Sequence, residues 1–278
     1  MQPKNKYTLA LITGASSGIG RSLAIKLADQ GVSLILTGRN QTALSQLATY
    51  LRAKVPNISF LQADVTKEHD IEKILQEIYK NSPDLVVNSA GMGLYGEALS
   101  YPTSKQLEIL NINAKALTVI TLEAARTLQS KNKKGTILNI SSVAGEFAFP
   151  SFALYAATKA YVTNLSKSLD EELKPSKIRV LCALPGRVAT QFGKRAGRTK
   201  EKKISSLVMT QEEAVDHLLY QLERELPTYI FNWKYRWMHR ISYFTPKTLL
   251  YNNLKKEIDS RIEKRAFLPV NDSVDPFQ

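Results

Sequence analysis

The chain reads as an α/β protein, a doubly wound Rossmann-type arrangement with a mostly parallel, seven-stranded sheet. Short runs of nearly continuous Val, Ile and Leu alternate with longer helical stretches, as expected of strands buried on both faces. A glycine-rich turn joins the first such run to the first helix. The 278 residues, 44% of them hydrophobic, suffice for one large core.

Taken in order, Thr8–Thr13, Ser33–Thr37, Ile58–Gln62, Leu85–Asn88, Thr136–Ile140 and Arg179–Leu184 read as strands. Between them Ile19–Gln30, Thr42–Lys54, Ile71–Lys80, Leu107–Gln129 and Phe152–Leu173 read as helices. Right-handed crossovers then place helices on both faces of the sheet. Thr210-Gln211-Glu212-Glu213 has the form of a capping box, predicting a helix from about residue 211 to 225 that Pro227 ends. Thr228–Phe231 supplies a last strand.

The single cysteine, Cys182, lies in the apolar run Ile178–Leu184, so no intramolecular disulfide can form and a reducing compartment is expected. No apolar run reaches the roughly 18 residues of a membrane span, and Met1–Tyr7 is polar rather than signal-like. The expected location is the cytoplasm, with peripheral membrane contact left open. His69, His217 and His239 lack metal-ligand spacing, so no metal is expected. The net charge of +13 is uneven: Lys194, Arg195, Arg198, Lys200, Lys202 and Lys203 cluster with one acid, Glu201.

Directly after the first strand stands Thr13-Gly14-Ala15-Ser16-Ser17-Gly18-Ile19-Gly20. Gly14 permits a tight turn, Gly18 lets backbone approach a phosphate, and Gly20 allows close helix–strand packing. The N–H groups at the helix start, with the positive end of its dipole, suit a pyrophosphate. At the end of the second strand, where an acid would accept hydrogen bonds from a ribose diol, the chain reads Gly38-Arg39-Asn40. A guanidinium there favours a 2′-phosphate, so NADP(H) is expected over NAD.

Tyr155 and Lys159, four residues apart on a helix, present phenol and ammonium on one face. That spacing alone is common on solvated helices. Joined to TGASSGIG at 13–20, Asp64-Val65, Asn88-Ser89-Ala90-Gly91, Asn113, Ser142 and Pro185-Gly186, in this order and spacing, it resembles the short-chain dehydrogenase/reductase family over about residues 7–226. Ser89 departs from the asparagine more usual there.

The resemblance implies reversible reduction of a carbonyl, with Tyr155 as proton donor, Lys159 and the oxidised nicotinamide lowering its pKa, Ser142 polarising the carbonyl, and Asn113 holding a proton-relay water. It also implies cofactor contacts from Gly14, Ser16, Ser17, Gly18, Ile19, Gly20, Arg39, Asp64, Val65, Asn88, Ala90, Gly91, Tyr155, Lys159, Pro185, Gly186, Val188 and Thr190. Among these, Asp64 and Val65 would bracket adenine, and Val188 and Thr190 would hold the carboxamide. Ser141 is a neighbour to Ser142, which the thirteen-residue spacing to Tyr155 favours.

On this reading residues 1–231 form the catalytic domain, with a substrate lid at about 192–207, and 232–278 a basic, aromatic extension. The lysine-rich lid suits an acyl or other anionic substrate, or is a solvated loop. Met92, Leu94, Tyr95, Phe147, Phe149 and Phe152 suggest an apolar or acyl-type compound such as a 3-oxoacyl or ketosphinganine compound. Trp233 to Arg240 interleaves aromatic and basic residues, as at a membrane interface, a subunit contact or a cap over the pocket; nucleic acid is not expected as a partner. The family also implies a homo-oligomer. A different class, a non-catalytic NADP-binding sensor or scaffold using the extension, is disfavoured by the intact Ser142, Tyr155 and Lys159.

Overall fold

The computed structural model describes residues 6–55, 57–199 and 207–262. The expectations for the first residues, for the lid at 200–206, including Lys200, Lys202 and Lys203, and for a loose end at 266–278 lie outside the described residues.

The first half of the chain alternates strand and helix as β1 (Leu9–Thr13), α1 (Gly18–Asp29), β2 (Ser33–Gly38), α2 (Gln41–Leu51), β3 (Ile58–Gln62), α3 (Glu68–Asn81) and β4 (Leu85–Asn88). It continues through α4 (Thr103–Leu110), a π-helical segment (Asn111–Ala116), α5 (Leu117–Ser130), β5 (Gly135–Ile140), α6 (Ala153–Leu173) and β6 (Ile178–Leu184). After a short ribbon, β7 (Arg187–Val188) with β8 (Val208–Met209), and the turn of helix α7 (Phe192–Arg195), come α8 (Gln211–Arg224) and β9 (Thr228–Ile230). Two helices close the described chain, α9 (Trp233–Ser242) and α10 (Lys247–Asp259).

The sheet has seven strands in the order β3-β2-β1-β4-β5-β6-β9, every neighbouring pair parallel. The reversal beside β1 is where a doubly wound sheet opens a crevice at its carboxyl edge. Strand alternation sends residues to opposite faces: Ala10, Ile12, Leu34 and Leu36 join one core, while Leu11, Ile35 and Val86 join the other.

The capping box forms: the Glu213 N–H donates to Thr210 Oγ1 at 3.1 Å and the Thr210 N–H to Glu213 Oε2 at 2.8 Å. The single helix expected over 107–129 is corrected. It starts at Thr103 and is interrupted by the π segment, where the Asn113 side chain accepts from the Met92 N–H at 2.9 Å and donates to the Met92 carbonyl at 2.8 Å. The widened turn places this amide against the backbone after β4, a common use of π-bulges at functional positions.

Beyond β9 the chain folds back. On α9, Tyr235 is buried and Arg236 donates to the carbonyls of Ile230 and Phe231, both at 2.8 Å. His239 Nε2 meets Glu146 Oε2 at 3.0 Å. On α10, Ile258 is buried, and Ile262 just beyond it joins the same cluster as Tyr95, Phe152 and Tyr155. The described part of this segment thus packs against the cluster of Tyr95, Phe152 and Tyr155.

Candidate active site

The glycine turn between β1 and α1 has the backbone its sequence requires. Gly14 adopts φ +68°, and a Cβ there would fall 2.9 Å from the Ala90 nitrogen, so the turn lies directly on the loop after β4. At Gly20 a Cβ would meet the Gly14 carbonyl oxygen at 2.8 Å, which is the close helix–turn packing expected of it. Gly18 faces Thr190, whose Cγ2 lies 3.4 Å from where a Cβ would stand. Thr13 Oγ1 accepts the N–H groups of Ser89 and Ala90, each at 3.1 Å, tying β1 to the same loop.

These contacts bring Gly14, Ser16, Ser17, Gly18, Ile19, Ala90, Gly91 and Thr190 to one edge of the sheet. Arg39 follows β2 at this edge, directly after Gly38, where a Cβ would fall 3.0 Å from Ser16 Oγ. Arg195 donates to Ser17 Oγ at 3.3 Å, and burial together with the charge of Arg39 holds its pKa below the ordinary value. Two guanidiniums therefore face one hydroxyl-lined turn, a fit for phosphate. Asp64 accepts from the Thr66 N–H at 3.0 Å, followed by the nearly buried Val65.

Asn88 is placed differently. Its side chain is 2% exposed and donates to Thr121 Oγ1 at 3.0 Å and Asn139 Oδ1 at 2.9 Å, inside the sheet. The interior network thus holds the amide nitrogen, while the amide oxygen has no hydrogen-bond partner.

The proposed chemical residues converge from three elements. Tyr155 and Lys159 lie on α6, with Lys159 Nζ 5.6 Å from the Tyr155 ring centroid. Lys159 Nζ donates to the Ile140 carbonyl at 2.8 Å, anchoring the ammonium at the end of β5. Asn113 and Lys159 both border Gly91: Oδ1 lies 3.6 Å and Nζ 3.8 Å from where its Cβ would be. Ser142 Oγ accepts the Ala144 N–H at 3.1 Å, donates to the Pro185 carbonyl at 3.5 Å, and stands near enough to the Tyr155 phenol to lower its pKa. Ser141 turns the other way, donating to the Lys159 carbonyl at 2.8 Å. The two serines are thus separated by their orientations.

Burial governs the electrostatics here. Desolvation raises the Tyr155 phenol well above its ordinary value, opposed by the Ser142 hydrogen bond. Desolvation also pushes Lys159 down to about 8. In the cofactor-free protein the loss of water around the buried phenol dominates, while the lowering expected from Lys159 together with the oxidised nicotinamide belongs to the loaded site.

Around this group stands an aromatic wall. Phe152 stacks on Tyr155 with centroids 4.2 Å apart, Tyr95 lies 4.7 Å from Phe152, and Phe192 lies 5.5 Å from Tyr155. The sequence had already pointed to Tyr95, Phe149 and Phe152. Not singled out in the sequence were Arg187, Ile258, Arg261 and the position of Arg195 at Ser17. The i, i+4 pairs Glu257/Arg261 and Ile258/Ile262 were the legible signal for the end of α10.

Comparison with known proteins agrees with this arrangement. The family model described as short chain dehydrogenase matches residues 8–201. An uncharacterized oxidoreductase of Staphylococcus epidermidis is 33% identical over 221 residues, 79% of this chain and 92% of that protein. Another, from Staphylococcus aureus, is 30% identical over 217 residues, covering 77% of this chain and 90% of its own. Among solved structures, a short-chain dehydrogenase from Sphingobium yanoikuyae in complex with NADPH superposes with a TM-score of 0.76 at 32% identity, covering 80% of this chain and 87% of that one. The bulky-bulky ketone specific alcohol dehydrogenase from Comamonas testosteroni superposes at 0.72 and 32% identity, over 80% and 85% of the two chains. With the glycine turn, the Tyr155–Lys159 pair and the seven-stranded parallel sheet in place, the chain belongs to the short-chain dehydrogenase/reductase family of oxidoreductases.

Proposed function

We propose that the protein is an NADPH-dependent carbonyl reductase, working reversibly as an alcohol dehydrogenase on a substrate with an apolar body. The observation carrying this reading is the convergence of Ser142, Tyr155, Lys159 and Asn113 beside the glycine turn. When bound, the reduced nicotinamide supplies a hydride to the carbonyl carbon and leaves as the oxidised form. Ser142 donates a hydrogen bond to the carbonyl oxygen and stabilises charge developing on it. Tyr155 gives its phenolic proton to that oxygen, completing the alcohol. Lys159 holds positive charge beside the resulting phenolate, and Asn113, fixed by Met92, orients the path along which the proton is replaced.

The preference for NADP(H) rests on Arg195 at Ser17 with Arg39 close enough to act on its charge, and the similar Sphingobium protein was solved with NADPH. The Comamonas relative's ketone specificity agrees with a substrate bearing large groups, as does the wall of Tyr95, Phe152 and Phe192. A panel of ketones, oxo acids and acyl carbonyl compounds, followed by NADPH absorbance, tests the reading. Turnover of at least one class is expected; NADPH binding without turnover across the panel would instead favour the non-catalytic sensor or scaffold.

A second reading concerns α9. Trp233, Trp237, Ile241 and Phe244 form one outward stripe, each more than half exposed. Exposed Arg240 and Lys247 lie near it, and no described helix is long and apolar enough to cross a membrane. Aromatic rings beside cations suit peripheral contact with an anionic lipid surface by a cytoplasmic enzyme. Homo-oligomer formation is proposed from family membership.

A further inference from the structure

Beside the aromatic wall, among the described residues, two guanidiniums gather around one carboxylate. Arg187 follows Pro185 by two residues, and the Pro185 carbonyl is the one that Ser142 approaches. Arg261 reaches in from the turn after α10. Both guanidiniums donate to the same oxygen, Glu257 Oε1, Arg187 at 3.2 Å and Arg261 at 2.7 Å. Arg261 also donates to the Tyr95 hydroxyl at 3.3 Å and lies over that ring, 5.4 Å from its centroid. Tyr95 in turn packs against Phe152, which stacks on Tyr155.

One donor in this cluster is left over. Arg261 is 7% exposed, and its Nε–H has no hydrogen-bond partner. A buried, charged donor without an acceptor is costly and calls for a missing group. Arg187 is further disfavoured in its charged form by burial and by Arg261, so an added anion would relieve both. Among the described residues the two guanidiniums share the Glu257 carboxylate, and a second carboxylate would match the planar fork of a guanidinium.

We propose that Arg187 and Arg261 bind a carboxylate of the substrate, making the compound reduced at Tyr155 an oxo acid with an apolar body. The carbonyl then lies toward Ser142 and Tyr155, the apolar part against Phe152 and Phe192, and the carboxylate under α10. This identification of the substrate class rests on the proposed carbonyl reduction. It also makes α10 part of the site: Arg261 reads the substrate, and Ile258 and Ile262 close over the rings it lies on.

Two measurements test it. The first compares benzoylformate with its methyl ester, which keeps the ketone and removes the charge. The wild type is expected to favour the acid in kcat/KM by about 10- to 100-fold, the range of one to two charge-assisted hydrogen bonds. In Arg261→Met and Arg187→Met this ratio falls toward one, and Arg261→Lys retains part of it. The second is calorimetric titration of the NADP-saturated wild type with phenylacetate, which cannot be reduced. Binding is expected, weakened about tenfold or more in Arg261→Met.

Equal acid and ester kcat/KM in the wild type, or no phenylacetate binding, overturns the carboxylate site. Ester reduction without phenylacetate binding overturns the site and leaves carbonyl reduction standing. Arg261-dependent phenylacetate binding with neither ketone reduced keeps the carboxylate site and overturns its assignment to the compound reduced at Tyr155.

Discussion

The ring of Tyr235 lies so close over Gly186 that a Cβ on the glycine would fall 2.0 Å from Cε2 of that ring. The same tyrosine accepts the Arg187 N–H at 3.3 Å and donates to the Leu207 carbonyl at 3.2 Å. One side chain of α9 thereby joins the Pro185–Thr190 loop to the segment leading into β8. Gly186→Ala cannot be accommodated without moving Tyr235. The expected cost is about 1–3 kcal/mol, the usual range for overpacking, read as a lower urea midpoint. An unchanged midpoint would show that α9 is not held at this contact.

Tyr155→Phe keeps the stack on Phe152 and removes the hydroxyl. Carbonyl reduction should fall by about 10²- to 10⁴-fold, while NADPH binding, followed by cofactor fluorescence, persists. Near-normal turnover would eliminate Tyr155 as the proton donor.

Arg39→Asp should shift preference from NADPH toward NADH by about tenfold or more, because it removes a phosphate partner and adds a diol acceptor. Arg195→Met should move the preference in the same direction, since Arg195 stands beside Ser17. The ratio of kcat/KM for the two cofactors measures both effects. A ratio unmoved in either variant would assign 2′-phosphate recognition to other residues.

The cofactor-free protein should gain stability between pH 8 and 9. Lys159 has a folded pKa of about 8 against an ordinary value of 10.5. Below pH 8 both states hold the proton and the folded state bears the full cost of the buried charge. As pH rises above 8, the folded chain releases a proton that the unfolded chain retains, so stability increases. Above pH 9 Cys182 acts oppositely, because burial pushes its thiol from 9.0 up to about 11; above pH 10 the raised Tyr7 and Tyr155 add to that loss. A gain of about 1 kcal/mol across pH 8 to 9 is expected by urea denaturation and should vanish in Lys159→Met. Identical slopes in the two proteins would refute the assignment.

Replacing Trp233 and Trp237 together by Ser should abolish sedimentation with phosphatidylserine-containing vesicles and leave the melting temperature nearly unchanged, since both rings are more than half exposed. Equal sedimentation by both proteins would reject the membrane contact.

Much of this was legible because it is local. The period of the apolar runs gave six of the sheet strands to within a residue or two, and Thr228–Phe231 the last. Gly14, Gly18 and Gly20 disclosed their turn because a positive φ or a close approach restricts the residue type at each position. The π turn at Asn113 was hidden, since its helix has an ordinary apolar pattern and the distortion is held by the backbone of Met92. The interior bonds of Asn88 were hidden for a related reason: its partners, Thr121 and Asn139, come from elements distant in sequence.

By itself, then, the sequence determined the alternation of strands and helices, the glycine turn and the spacing of Tyr155 and Lys159, all set by neighbours a few residues apart. Tertiary structure alone decided that Ser141 turns away to the Lys159 carbonyl, that burial raises the Tyr155 phenol, and that Arg261 comes over Tyr95, 166 positions before it. Such relations depend on desolvation and on contacts between distant segments, which exist only once the sheet has formed and α9 and α10 have folded back upon it.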